Sequence, residues 1–377
     1  MPTTPPRLLF FVTEDWYFCS HRLPLAIAAK KAGFDVAVLT RTAKHADTIR
    51  SAGIHLIPST LERRSLSPLR ELYELFHIIK IYRQEQPDII HQVALKPVLY
   101  GSFAALFVKK SRVINALAGL GFVYTSETFK SRLLRPLVTT AFRLLLNRNK
   151  SRLILQNPDD VNLLIDHRVI EQQRIRLIRG SGVNLEHYSK TPEPAGNICI
   201  VLAARMLWDK GVGEFVSAAR QLRKQGVDAR FILVGKCDPD NPSAILEKQL
   251  ASWQSEGVIE WWGYQEDMAA VFSKAHIVCL PSYREGLPKV LIEAAACGRP
   301  VIASDAPGCR EIVKSSVNGL LVPLRNADAL AEAMQTLINN RELRFRMGAK
   351  SRQIAEQEFS EDKVVTETLA LYRELLA

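Results

Sequence analysis

The sequence has little cysteine and none in a paired arrangement. Six residues in 377, at positions 19, 199, 237, 279, 297 and 309, show no Cys-x-x-Cys spacing. That argues against a zinc ribbon and for a reducing compartment where thiols stay free. Long apolar runs are also missing. The N-terminal one, Leu8 to Val12, is too short for the core of a secretory signal, and no other approaches the ~20 residues of a spanning helix. There is no short repeat and no low-complexity tract. No helix-turn-helix, zinc finger or aromatic RNA-binding motif is present, so nucleic acid is not an expected partner. What remains is ordinary globular composition, 47% hydrophobic and 24% charged with 19 Gly and 19 Pro. The length suits two domains of about 150–200 residues, and a soluble, cytoplasmic chain is expected.

Charge is unevenly placed. The net charge is +11, yet residues 1–190 hold 28 Lys and Arg against 15 Asp and Glu, whereas the remainder holds 22 against 24. Residues 109–152 contain ten basic side chains, among them Arg132, Arg135 and Arg143, and a single acid, Glu127. Leu133, Leu134, Leu137, Val138, Phe142, Leu145 and Leu146 are interleaved with them. A basic helix with an apolar face suits an anionic membrane surface, each nearby cation being worth about 1 kcal/mol. A core helix with a solvated basic face accounts for the pattern equally well.

Short apolar runs alternate with helix-length segments along the whole chain. The runs Leu8–Val12, Asp35–Thr40, Ile54–Pro58, Asp88–Val93, Arg112–Leu117, Arg152–Asn157 and Arg174–Ile178 fall in the first half. Ile198–Ala203, Arg230–Gly235, Val258–Trp262, His276–Pro281, Pro300–Ser304 and Gly319–Val322 fall in the second. Such continuous strands separated by helices predict buried parallel sheets with right-handed crossovers. Residues 189–197 have linker composition and stand where the charge changes sign. The expected organisation is therefore α/β, two doubly wound domains at 1–190 and 191–360, with ligands beyond the carboxyl ends of the strands in a cleft between them. The last segment, Glu361 to Leu376, reads as one helix.

Two strand-to-helix junctions in the second half carry chemistry. In Pro281-Ser-Tyr-Arg-Glu285-Gly286-Leu287-Pro288-Lys-Val-Leu-Ile-Glu293, an apolar strand ends in a glycine loop, and Pro288 suits the first helical position. Amides at such a helix start form a phosphate site. Were residues 285–293 all helical, Glu285 and Glu293 would stand ~12 Å apart along the axis. That exceeds the ~5–5.5 Å of a retaining hydrolase pair, so the two acids suit gripping two parts of one ligand. In Ala203-Ala-Arg205-Met-Leu-Trp-Asp-Lys210-Gly211, Arg205 and Lys210 are suited to neutralising a diphosphate. Asp238-x-Asp240 reads as an acidic turn bracketed by Pro239 and Pro242, and no metal or other cofactor is expected.

Together these stretches resemble the family 4 nucleotide-sugar glycosyltransferases of the two-domain GT-B fold. The shared features are the Glu–seven residues–Glu motif, the Arg–four residues–Lys pair, and a glycine-valine turn at Arg179–Asn184. The resemblance runs over essentially the whole chain. It implies Rossmann-like domains facing across a cleft, with the final helix, 361–377, packing back on the first. It also implies that Arg205 and Lys210 hold the donor diphosphate, that Glu285 contacts donor-sugar hydroxyls, and that Glu293 contacts the ribose. Gly286, Leu287 and Pro288 would touch sugar and phosphate, with Gly235 and Lys236 near the base. Family members retain anomeric configuration by front-face attack, the donor phosphate accepting the acceptor's proton.

The acceptor side departs from the family. Thr13–Arg22, after the first strand, lacks the usual Gly-Gly loop, and Ser20, His21 and Arg22 are candidates to replace its phosphate contact. Many relatives have a histidine where this chain has Val93, two places after His91. His91, Lys96 and Asn115 remain acceptor or interdomain candidates, with Lys96 placed to face the diphosphate. Ser20-His21-Arg22, Lys96-Pro97 and Gly119-Leu120-Gly121 look similar to transferases that extend undecaprenyl-diphosphate-linked glycans of capsules, O-antigens and glycoproteins, many using UDP-linked N-acetylgalactosamine or galactose. The implied partners are a UDP-sugar, a lipid-linked saccharide and the inner face of an anionic membrane, met through Arg132, Arg135 and Arg143. A soluble-acceptor transferase, a UDP-sugar 2-epimerase and a non-catalytic sugar-nucleotide binder are the alternatives.

Overall fold

The computed structural model describes residues 4–62, 67–108, 110–119, 129–239 and 241–377, the side chains of residues 68, 129–132 and 134 excepted. Among the described residues, thirteen strands form two wholly parallel sheets. The first contains β1 (Arg7–Glu14), β2 (Asp35–Arg41), β3 (His55–Pro58), β4 (Ile89–Val93), β5 (Arg112–Ala116), β6 (Ser151–Leu155) and β7 (Ile175–Leu177), in the spatial order 3-2-1-4-5-6-7. The second contains β8 (Ile198–Ala203), β9 (Ala229–Val234), β10 (Glu260–Trp261), β11 (Ile277–Leu280), β12 (Val301–Ser304) and β13 (Gly319–Val322), in the order 10-9-8-11-12-13. Each sheet is doubly wound, as the alternating pattern predicts, and the order reverses between β1 and β4 in one and between β8 and β11 in the other.

Alternation along the central strands explains the layers, since successive side chains point to opposite faces. On β1, Leu8, Phe10 and Val12 enter one buried cluster with the helix Leu23–Lys31 and the last helix, Glu361–Leu376. Leu9 and Phe11 enter another with Ile78 and Tyr82 of the helix Pro68–Glu85. On β8, Ile200 and Leu202 face Phe215 and Leu222, while Val201 and Ala203 face Leu291 and Ala295.

The chain divides into a unit of Met1–Ser181 with Asp362–Ala377 and a unit of Gly182–Glu361. The division falls before the proline-rich stretch, not at 190/191, because that stretch is fastened to the second unit. Glu193 accepts hydrogen bonds from Arg344 at 2.8 and 3.0 Å, and buried Arg299 reaches Thr191 and, at 3.0 Å, the Pro192 carbonyl. In the first unit, residues 13–22 are not a loop: β1 runs on to Glu14 and a short helix, Asp15–His21, follows directly.

Candidate active site

Both motif-bearing junctions of the second unit lie at its switch point, one after β8 and one after β11. Parallel pairing of those strands, Ile200 opposite Ile277 and Leu202 opposite Cys279, brings their carboxyl ends side by side. The two loops are then locked together: Tyr283 donates its amide to the Asp209 carbonyl at 3.0 Å, and the Ser282 hydroxyl donates to the same oxygen at 3.1 Å. Gly211 sits between them with φ +70°, and a Cβ there would lie 2.1 Å from the Pro281 carbonyl oxygen. Only glycine tolerates both that backbone and that approach.

Two of the candidate side chains meet. Lys210 Nζ stands 2.5 Å from Glu285 Oε1, both part-buried. Arg205 Nη1 donates to Asp238 Oδ2 at 2.7 Å. Each cation thus carries a carboxylate partner, and Asp238, which the sequence offered only as a turn acid, is the partner of Arg205. Asp240 lies outside the described residues. Among the described residues no group of three or more His, Cys, Asp or Glu is disposed to hold a metal.

Pro288 is the N-cap of the helix Lys289–Ala296, so the helix starts one residue later than its proline suggests, and no side chain caps it. Glu285 is therefore off the helix, in the loop opposite Lys210, and the axial spacing estimated for an all-helical segment does not apply. Glu293 lies in the helix and is 7% exposed. Burial pushes its carboxyl upward, opposed by Lys289, whose Nζ is 3.6 Å away, and by a hydrogen bond from Tyr188. Arg352 ties this layer together, donating to the carbonyls of Tyr188 at 2.8 Å and Ala296 at 2.7 Å. Gly286 and Pro288 are buried and Leu287 packs on the core beneath. Gly308 backs the loop closely, since a Cβ on it would lie 2.4 Å from the Gly286 carbonyl oxygen. Gly235 follows β9; its amide reaches the Gly263 carbonyl at 2.7 Å and its carbonyl accepts from Trp261 Nε1 at 2.9 Å. Lys236 is exposed, its ammonium 5.7 Å from the Tyr264 ring centre.

The first-unit candidates do not form one cluster. His91 is wholly buried on β4, stacked on Phe10 and hydrogen-bonded through Nδ1 to Tyr372 at 2.6 Å, which makes it a core residue holding the last helix. Burial, then the Arg22 charge, holds its imidazole well below the usual range and so neutral. Asn115 is also buried, accepting from Ser102 at 2.9 Å and donating to Ser151 at 3.1 Å. Lys96, expected to face a diphosphate, is engaged with Glu71 at 2.9 Å and the Glu62 carbonyl at 2.9 Å. Ser20 and His21 are near the surface, joined at 2.7 Å, with the imidazole stacked on Tyr17. Arg22 is buried at the junction of the helices Asp15–His21 and Leu23–Lys31. Of the basic helix residues, Arg143 is spent on the His167 and Arg168 carbonyls at 2.7 and 3.0 Å, the Arg132 side chain lies outside the described residues, and Arg135 is part-exposed. Leu120 and Gly121 lie outside the described residues as well.

Comparison with known proteins matches both units. The family model for glycosyl transferases group 1 covers residues 197–340, and that for glycosyl transferase 4-like proteins covers residues 7–157. The chain is 27% identical over 364 residues, 93% of this chain and 94% of the relative, to the N,N'-diacetylbacillosaminyl-diphospho-undecaprenol alpha-1,3-N-acetylgalactosaminyltransferase of Campylobacter jejuni. It is 22% identical, over 74% of each chain, to the UDP-Gal:alpha-D-GlcNAc-diphosphoundecaprenol alpha-1,3-galactosyltransferase of Escherichia coli. Among solved structures, Anabaena HepE in complex with UDP superposes with a TM-score of 0.78 at 18% identity, covering 98% of this chain and 100% of that one.

Proposed function

The chain belongs to the group 1, 4-like glycosyltransferases of GT-B fold, and from that premise we propose that it moves a hexose, N-acetylgalactosamine or galactose, from a UDP-sugar to a saccharide carried on a polyprenyl diphosphate. The observation that carries this reading is the pairing of Lys210 with Glu285 where the loops after β8 and β11 are locked together, at the switch point where open α/β sheets bind their ligands, with Arg205 on the first loop and Glu293 on the helix that follows the second. Likeness over nearly the full length of a transferase named for an undecaprenol-linked acceptor supports the choice of acceptor.

In this reading Arg205 and Lys210 take the two phosphates, exchanging Asp238 and Glu285 for oxygens of higher charge. As the bond from the sugar to the diphosphate breaks, negative charge gathers on the departing UDP, and two fixed cations stabilise it there. Glu285, released from Lys210, accepts hydrogen bonds from sugar hydroxyls, and Glu293 does so from the ribose. Transfer proceeds with retention and without a metal, the phosphate receiving the acceptor's proton. The acceptor's lipid holds the enzyme at the inner face of the membrane.

Calorimetric titration with UDP and GDP tests the donor site. Wild type should bind UDP, Glu293→Ala and Arg205→Ala should each weaken binding tenfold or more, and GDP should bind less well. A wild type that binds no nucleotide, or UDP binding indifferent to both substitutions, would sink the assignment. Transfer from UDP-N-acetylgalactosamine and UDP-galactose to lipid-linked and free saccharides then separates the lipid acceptor from a soluble one.

A further inference from the structure

The second unit holds a further cavity beside its two locked loops, of about 380 Å³. Trp208, Trp253 and Tyr283 supply aromatic walls, and Glu214, Arg220 and Arg325 supply polar ones. None of these six belongs to the residues assigned above to the nucleotide or the donor sugar. Trp208 is 42% exposed and stands edge to face with buried Trp253, their ring centres 5.9 Å apart. It is seated against the helix Val212–Lys224 at Gly213, where a Cβ would come 2.9 Å from the indole Cζ3. Tyr283 donates its hydroxyl to Glu214 at 2.7 Å, and Arg325 lies over its ring, 4.6 Å from the centre. Burial and the Glu214 carboxylate push the phenol up to about 12, so it keeps its proton and stays a donor. Arg325 is the unusual member. It is exposed and has φ +56°, a conformation that side chains other than glycine seldom adopt. Among the described residues its guanidinium makes no hydrogen bond and no ion pair, so its forked N–H donors are open to a ligand.

The cavity does not end there. A second, of about 370 Å³, shares Ser217 and Arg220 with it and continues along the same helix past Gln221, Lys224 and Gln225. Glu214, Ser217, Gln221 and Lys224 recur at three- and four-residue spacing, so they line one face of that helix. From Gly213 to Gln225 the face runs ~18 Å at 1.5 Å per residue. Hydroxyl, carboxamide and charged side chains therefore line a trough with an aromatic platform at one end. Among the described residues, the side chains of Ser217, Gln221 and Gln225 take no hydrogen bond from the protein and give it none.

We propose that this trough binds a saccharide chain, separately from the nucleotide, with one sugar ring packed on Trp208 and its hydroxyls held by Glu214 and Arg325. A pyranose presents an apolar C–H face to an aromatic ring, and its neighbouring hydroxyls match the two oxygens of a carboxylate or the fork of a guanidinium. The polar side chains farther along the helix then meet the hydroxyls of the rings that follow. A lone base would use only the platform and a lone phosphate only the cations, and either would leave the length of the trough empty. The inference rests on the transferase reading only for why a glycan is at hand.

The experiment titrates the full chain by calorimetry with chitotetraose, with tetragalacturonate and with uridine, in the presence and absence of UDP. Wild type, Trp208→Ala and Arg325→Gly are compared, and the melting point of each unliganded protein is measured. Wild type should bind at least one tetrasaccharide, equally well with UDP present, and both substitutions should weaken that binding tenfold or more. Glycine accepts φ +56° without strain. Arg325→Gly should therefore melt no lower than wild type, which separates lost binding from lost folding. Binding of neither tetrasaccharide, binding that UDP displaces, or binding that either variant retains within twofold would overturn the proposal. Uridine bound in place of both tetrasaccharides would mark a nucleoside site and overturn it too. Failure of the donor-site reading is separately visible: UDP then does not bind, or ignores Glu293→Ala, while the tetrasaccharide titration is unaffected.

Discussion

Glu293 is held in a conflict between stability and function that can be measured. Desolvation raises its carboxyl pKa above the unfolded value. The folded protein therefore binds more protons than the unfolded chain between those two values, and stability falls as pH rises through that window. Below the unfolded pKa the residue carries no such penalty; above the folded pKa the penalty is complete. Glu293→Gln should accordingly raise the melting point at pH 7–8, with the advantage vanishing near pH 4, in scans across that range. In the proposed role Glu293 accepts from ribose hydroxyls, so the same substitution should lower UDP affinity about 10- to 100-fold, the worth of a hydrogen bond to a charged group. Lower stability at neutral pH together with unchanged UDP binding would contradict both halves. Asp238 is the complementary case. It occupies Arg205 without ligand, so Asp238→Asn should leave UDP binding equal or a few-fold tighter by calorimetry, whereas a donor role for the carboxylate itself would weaken it.

At the scale of elements, the proposed donor site is a matter of loops pressed together by glycines. Gly308, before the helical turn Cys309–Ile312, has φ +78° and lies against the carbonyls of Glu285 and Gly286. Gly308→Ala would strain its own backbone and push the Glu285 loop away from Lys210. A stability loss of about 1–3 kcal/mol in urea unfolding is expected, with weaker UDP binding although no motif residue has changed. Full UDP affinity would mean that the loop yields without cost. The strands themselves were legible in sequence because a buried parallel strand is a continuous apolar run bounded by turn residues, and Leu8–Val12 or Ile198–Ala203 admits little else. The helix Asp15–His21 was not legible, since seven residues without a capping side chain carry no usable periodicity. Asp238, Tyr188, Arg352 and Gly308 escaped for another reason: each reaches the site through crossover topology, and nothing local to those residues marks a partner so distant along the chain. The linker composition at 189–197 misled in the same way, because Arg299 and Arg344, which anchor it, come more than a hundred residues later.

Across the whole molecule, no described helix is long and apolar enough to cross a membrane, so attachment to a lipid-borne acceptor would rest on a surface. The first unit offers one, of which charge counting alone located only the part on the helix Phe129–Leu146. Exposed Leu69, Leu72, Tyr73 and Phe76 lie in the first half of the helix Pro68–Glu85, and exposed Leu133 and Leu137 in that of Phe129–Leu146. The helix Leu95–Ala104 packs against both of these. Crossover helices run antiparallel to their strands, so these first halves lie toward the carboxyl edge of the sheet, the edge at which ligands of such folds enter. Apolar side chains flanked by Arg70 and Arg135 suit an anionic bilayer, where burial of each large residue contributes about 1.5–3 kcal/mol at full insertion and less at partial depth. Two terms of different physical origin should then separate experimentally. Binding to vesicles rich in anionic lipid should weaken as salt rises from 0.05 to 0.5 M, since the Debye length shortens, yet it should not vanish, because the apolar term is insensitive to screening. Leu72→Glu with Phe76→Glu should remove the salt-resistant fraction, and Arg135→Glu the salt-sensitive one, each followed by co-sedimentation. Arg143 is a poor probe of this surface, because its guanidinium closes the carbonyls of His167 and Arg168 and its loss would disturb folding instead. Vesicle binding that both sets of substitutions leave intact would place the membrane contact elsewhere on the chain.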